Sequence, residues 1–199
     1  MEDRLERIEQ VTANYFFWQG LRLVPMGIAM ILVAFIIEWR SIPQALRNIL
    51  MLGALAAALW TSSALGGYYR RTFGSVRGIP RQHSRREMWK WTVVYPLMVG
   101  SFIVDAAWKG PLLISGLAWG AATVAYWWST GRGRPHYHGV ALLFAATTLL
   151  PALTSIDRGT PMLTLFIGIV GAAYVVAGLL DHLELSRLMH AGGGDAGSV

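Results

Sequence analysis

The chain has 199 residues, of which 54% are hydrophobic and only 14% charged, and its mean hydropathy is +0.44. A soluble fold of this length has too little interior to hide that much apolar surface, so an integral membrane protein is expected. The lack of cysteine excludes disulfides, thiolate metal sites and cysteine nucleophiles, and the net charge of +6 comes from basic residues beside hydrophobic segments, where topology and anionic lipid explain them better than nucleic acid does.

Residues 1–14 read as an amphipathic cytoplasmic segment, with Met1, Leu5, Ile8 and Val11 at helical spacing and four acids against Arg4 and Arg7. No short apolar core with a small-residue cleavage site follows, so a secretory signal peptide is not expected. Six apolar stretches then predict an all-α transmembrane bundle over residues 15–190, with spans near 18–39, 49–69, 91–108, 111–128, 137–154 and 161–180. Pro25 in the first span is expected to be tolerated because neighbouring helices satisfy the carbonyl it frees. Six crossings use about 120 residues, which leaves loops and tails but no extramembrane domain. The linkers near Ser41, Gly110 and Asp157 are short enough for turns alone, so consecutive spans are expected to form three antiparallel hairpins. Residues 191–199 form a Gly-rich tail, expected to be flexible.

With the N-terminus inside, Arg4, Arg7, Arg70, Arg71, Arg77, Arg81, Arg85, Arg86, Lys90, Arg132, Arg134 and Arg187 lie on the cytoplasmic side, against Arg40, Arg47, Lys109 and Arg158 on the other. That bias predicts that both termini are cytoplasmic. Aromatic residues agree, with Tyr15 to Trp18, Tyr68, Tyr69, Trp89, Trp91 and Tyr126 to Trp128 expected at the inner interface and Trp39 and Trp108 at the outer. The first three spans show no internal match to the last three, so an inverted-repeat transporter is not indicated.

Charges inside a bilayer need a partner or a route to water. Arg22 lies about 6 Å, one helical turn, inside the Trp18 boundary, where it can snorkel to the headgroups or pair with Asp181 at the cytoplasmic end of the last span. Arg22, Asp181 and His182 are therefore the candidate interfacial polar cluster. Asp105, one turn before Lys109 near the outer face, is expected to make a local i,i+4 ion pair. The stretch from Arg70 to Lys90 carries Arg70, Arg71, Arg77, Arg81, Arg85, Arg86 and Lys90 with one acid, Glu87. Its Gly74, Gly78 and Pro80 predict an irregular loop, which sets topology and offers a contact for anionic headgroups, a protein partner or the acidic N-terminal segment. Small residues recur every fourth position at Ala54, Ala58, Ser62 and Gly66, and again at Gly116 and Gly120, which is expected to pack helices closely within the bundle, with homo-oligomerisation as the alternative. His83, His136, His138, His182 and His190 do not fall at matching depths in two spans, so neither haem nor another cofactor or metal is implied.

Three patches, YFFWQGLRLVPMG, YYRRTFGSV and GLLDHLELSRL, resemble a group of small bacterial multi-span inner-membrane proteins. The matching positions are Gln19, Gly20, Leu21, Pro25, Gly27, Asp181, His182, Leu185 and Arg187. The resemblance implies a multi-pass protein of the bacterial inner membrane and brings no activity with it.

Sequence patterns for hydrolases, zinc proteases and phosphate-binding loops do not occur, and the middle of each span is chiefly Ala, Leu, Val, Gly, Thr and Ser. A non-enzymatic accessory or permease-like component working with partners is therefore expected. A self-contained small-molecule transporter or channel is the alternative, followed by a membrane enzyme acting on lipid, for which Asp181, His182 and Glu184 are the only paired ionisable groups near one interface.

Overall fold

The structure is a computed structural model that describes residues 19–72, 81–108, 110–130, 135–154, 156 and 160–193, without the side chains of 81–91, 129–130 and 188–193. The described residues are helical, with no strand among them. A 3₁₀ turn, Gly20–Arg22, leads into α1 (Val24–Glu38), followed by α2 (Gln44–Thr72), α3 (Arg81–Trp108), α4 (Ile114–Thr130), α5 (His136–Thr147), the single turn α6 (Leu150–Leu153) and α7 (Thr160–Gly193). Three segments are long and apolar enough to cross a membrane: Gly20–Glu38, Gln44–Thr72 and Thr160–Arg187. Large apolar side chains on the outer surface, among them Phe35, Ile49, Trp60, Leu97 and Leu142, are exposed, as a lipid-facing surface requires.

α7 is the central helix. It packs along α1 and against α3, α5 and the 3₁₀ turn, whereas α2 rests on α1 and that turn, and α4 bridges α3 and α5. Where α3, α4, α5 and α7 meet, Phe102, Trp119, Phe144, Phe166 and Tyr174 interlock at ring-centroid separations of 5.7–6.3 Å, most of them edge to face. Phe144 and Phe166 are completely buried there.

The opening turn and α1 approach α7 at two pairs of glycines. A Cβ on Gly20 would lie 2.2 Å from the Gly178 carbonyl oxygen, and one on Gly27 would lie 2.5 Å from that of Gly171. The converse distances are 2.5 and 2.6 Å, so at both crossings backbone rests on backbone. Gly20 and Gly27, like Gly171 and Gly178, are seven residues apart, about two helical turns, which keeps both on the contact face. The GxxxG of α4 acts in the same way: a Cβ on Gly116 would strike the Phe144 carbonyl and the hydroxyls of Thr147 and Thr148, and Gly120 lies over Ala141 and Ala145 of α5. On α2, Ala58 is buried, the Ser62 hydroxyl donates to the Arg22 carbonyl at 2.7 Å, and Gly66 lies under the Arg22 guanidinium.

Several local features differ from the sequence expectation. α1 begins at Val24, so Pro25 sits in its first turn, where the missing N–H has no helical partner to lose; no neighbouring helix is needed to rescue it. The fifth span is broken, because Pro151 cannot donate and the chain tightens into 3₁₀ bonds from Thr148 to Ala145 and from Leu149 to Ala146. The Thr148 carbonyl then accepts the Leu113 N–H at 3.0 Å. Asp105 supplies the next contacts: its Oδ1 accepts Ile114 N–H at 2.7 Å and its Oδ2 accepts Ser115 N–H at 2.8 Å, together with the Ser115 hydroxyl. The buried carboxylate thus caps α4 from the neighbouring helix, while Lys109, its expected local ion-pair partner, lies outside the described residues. The basic stretch is helical at both ends, through Thr72 and again from Arg81, while Gly74, Gly78 and Pro80 lie outside the described residues. α7 runs to Gly193, three residues into the expected tail, and the N-terminal segment 1–14 is also outside the description.

Candidate functional site

At one end of the bundle the 3₁₀ turn, the last turns of α2, the start of α5 and Asp181 of α7 converge and bring together Gln19, Arg22, Tyr69, His136, Tyr137, Asp181 and His182. Glycine makes this convergence possible. A Cβ on Gly20 would stand 2.5 Å from the Asp181 Cβ and 3.0 Å from the His182 nitrogen, so any larger residue would push the turn away from α7.

Asp181 is fully buried. A carboxylate removed from solvent needs donors, because desolvation without them costs more than a folded protein can spare. Tyr137 donates its hydroxyl to Oδ2 at 2.7 Å, and His136 sets Nε2 2.9 Å from Oδ1. Both residues lie in the first turn of α5, their rings 4.7 Å apart, so the two donors reach the two oxygens from one helix end.

Tyr69, also fully buried, links the other elements. Its hydroxyl accepts the Leu21 N–H at 3.1 Å and lies 3.0 Å from His182 Nδ1. The His182 tautomer sets which of the two, the Tyr69 hydroxyl or Nδ1, donates in that contact. The Arg22 guanidinium donates to Gln19 Oε1 at 3.3 Å. One network therefore ties α2 to the opening turn and α7, and another ties α5 to α7, and the two meet at the consecutive residues Asp181 and His182.

Of the residues singled out in the sequence, Arg22, Asp181 and His182 all lie at this end, and Gly20 rests directly on the other two elements' junction. The described hydrogen bond of Arg22 goes to Gln19, and the described ion pair of Asp181 goes to His136. Arg70 and Arg71 are exposed on the last turn of α2. Arg81, Arg85, Arg86 and Lys90 fall on the helical start of α3 with side chains outside the description, as is the whole of Arg77, so the expected contact between this stretch and the N-terminal segment lies outside the described residues.

His136, Tyr137 and Tyr69 were not singled out beforehand. Their sequence signals were ambiguous: Tyr69 reads as an interface aromatic, Tyr137 as the start of the fifth span, and His136 as a loop residue two positions from His138, whose ring lies 4.1 Å from that of Trp127. Among the described residues no three His, Cys, Asp or Glu side chains are arranged to hold a metal.

Comparisons with protein-family models, with curated proteins and with solved structures yield no match to this chain.

Proposed function

We propose that the chain is a six-span protein of the bacterial inner membrane, with both termini in the cytoplasm, that works as a non-enzymatic accessory or permease-like component alongside partner proteins. Beyond the three long apolar segments, α4 and the apolar part of α3 from Thr92 have 17 residues each, about 25 Å of helix, and α5 with α6 forms a third shorter hydrophobic segment. Twelve basic residues against four support the orientation.

The observation that carries the non-conducting reading is the packed aromatic interior among the described residues. The aromatic cluster fills the space between α3, α4, α5 and α7, and the buried hydroxyls of Ser101, Thr147 and Thr164 turn back to carbonyls of their own helices at 2.6–2.8 Å. A conduit would instead align such groups along a path through the bundle. A transporter remains the alternative, because it needs only a second conformation that parts these rings.

Reporter fusions after Tyr69 and Leu180 are expected to read out as cytoplasmic and one after Trp108 as external. Finding all three on one side would end the six-span reading. Reconstitution into liposomes separates the two functions: the accessory reading predicts no solute flux by the protein alone, and protein-dependent, saturable flux would replace it with the transporter.

A further inference from the structure

α2 has two faces. Ala58, Ser62, Gly66 and Tyr69 face α1, the opening turn and α7, whereas Trp60, Ala64, Gly67 and Arg71 recur at helical spacing on the opposite side. On that outer side Ser63, Ala64 and Gly67 form the floor of an open groove, and Trp60 and Tyr68 stand at its edges. Trp60 is 76% exposed, and a Cβ on Gly67 would meet nothing within 4 Å, so no described part of the chain covers the groove. Arg70 and Arg71 line its end, both exposed and neither with an ion-pair partner among the described residues.

We propose that this groove is a binding site for one anionic phospholipid, with an acyl chain lying between Trp60 and Tyr68 and the headgroup phosphate held by Arg70 and Arg71. Three properties select this occupant. From Trp60 to Arg71 the helix rises about 16 Å, close to the roughly 15 Å depth of one leaflet's hydrocarbon layer. The floor of small residues, Ser63, Ala64 and Gly67, leaves room for an acyl chain between the two aromatic edges. The cationic pair stands at the end of a 29-residue helix, about 43 Å long against a hydrocarbon core of about 30 Å, so it emerges at phosphate level, and an exposed guanidinium pair matches a phosphate in both charge and geometry. The assignment to the inner leaflet rests on the orientation proposed above; the site itself does not.

The test is native mass spectrometry of the whole protein in detergent, titrated separately with long-chain phosphatidylglycerol, phosphatidylcholine of the same chains, and glycerol 3-phosphate, which offers the phosphate without chains. One saturable site that prefers phosphatidylglycerol at least about tenfold is expected. The double variant Arg70→Gln/Arg71→Gln should lose about tenfold or more in phosphatidylglycerol affinity with little change towards phosphatidylcholine. Gly67→Leu keeps both charges and fills the groove floor without touching the bundle, so it should weaken both long-chain lipids and leave glycerol 3-phosphate unaffected. Equal binding of the two lipids, an unaltered double variant or an unaltered Gly67→Leu each overturns the site. A change of oligomeric mass in Gly67→Leu with lipid binding intact would also overturn it, assigning the groove to a second copy of the chain. Labelling of a Thr72→Cys variant with a membrane-impermeant maleimide reads orientation independently: reaction from the external side would move the site to the other leaflet while leaving binding in detergent unaffected.

Discussion

Asp181 concentrates the energetics of the polar end, because it is a fully buried carboxylate whose described partners both come from α5. Replacing it with Asn preserves size but sets an NH₂ group against one of two donors, so Asp181→Asn is expected to lower stability by about 2–3 kcal/mol. Tyr137→Phe removes one donor and leaves the other, and about 1 kcal/mol is expected. Because the two side chains share a hydrogen bond, their double-mutant cycle should show a coupling of at least about 0.5 kcal/mol in denaturant unfolding of the detergent-solubilised protein. Strict additivity would mean that the 2.7 Å contact contributes nothing to the fold. The position of Asp181 at the end of the last span was legible from the sequence. The contacts from His136 and Tyr137 were not, since a depth argument ranks every polar residue at that level equally, while the rotation of α5 about its axis decides which of its side chains arrive.

Glycine has opposite consequences in different elements, and that contrast is testable. At Gly178 a methyl group would lie 2.5 Å from the Gly20 carbonyl, an atom fixed in a helical turn, so Gly178→Ala must separate α1 from α7 and is expected to cost about 1–3 kcal/mol. At Gly53 and Gly100 nothing lies within 4 Å, and alanine there should be neutral or stabilise by up to about 1 kcal/mol through helix propensity. Thermal unfolding of the three variants should separate them in that order, and a loss at Gly53 equal to that at Gly178 would show that spacing rather than contact matters. The start of α4 offers a second test at this scale. Asp105 serves the first backbone donors of that helix, so Asp105→Ala is expected to cost about 1–2 kcal/mol and to increase hydrogen exchange selectively at Ile114 and Ser115. Unchanged exchange at those two amides would remove the cap. Small-residue spacing was readable in the sequence as a signal for close packing, but which helix each stripe meets was not. The same holds for Asp105, whose near neighbour Lys109 suggested a local pair while its carboxylate reaches across a turn to another helix.

The molecule as a whole is joined by α7, which contributes Phe166 and Tyr174 to the aromatic cluster with α3, α4 and α5 and also carries the glycine crossings with α1. Phe166 touches three other rings and has no exposed surface. In a lipid environment its removal forfeits packing more than transfer from water, so Phe166→Ala is expected to cost about 2 kcal/mol, less than the same truncation in a soluble core. Denaturant unfolding in detergent measures it, and a cost near zero would mean that the cluster does not join the two sides. Helical class and apolar character were determined by the sequence itself, because hydropathy and helical period are local properties that every residue in a window reports. The break before Pro151, the cap on α4 and the gathering of Tyr69, His136, Tyr137, Asp181 and His182 were decided only by tertiary structure. Each depends on the rotation and depth of one helix relative to another, and those are set by glycine contacts and ring packing between residues as much as 158 positions apart, as from Gly20 to Gly178, which no local pattern encodes.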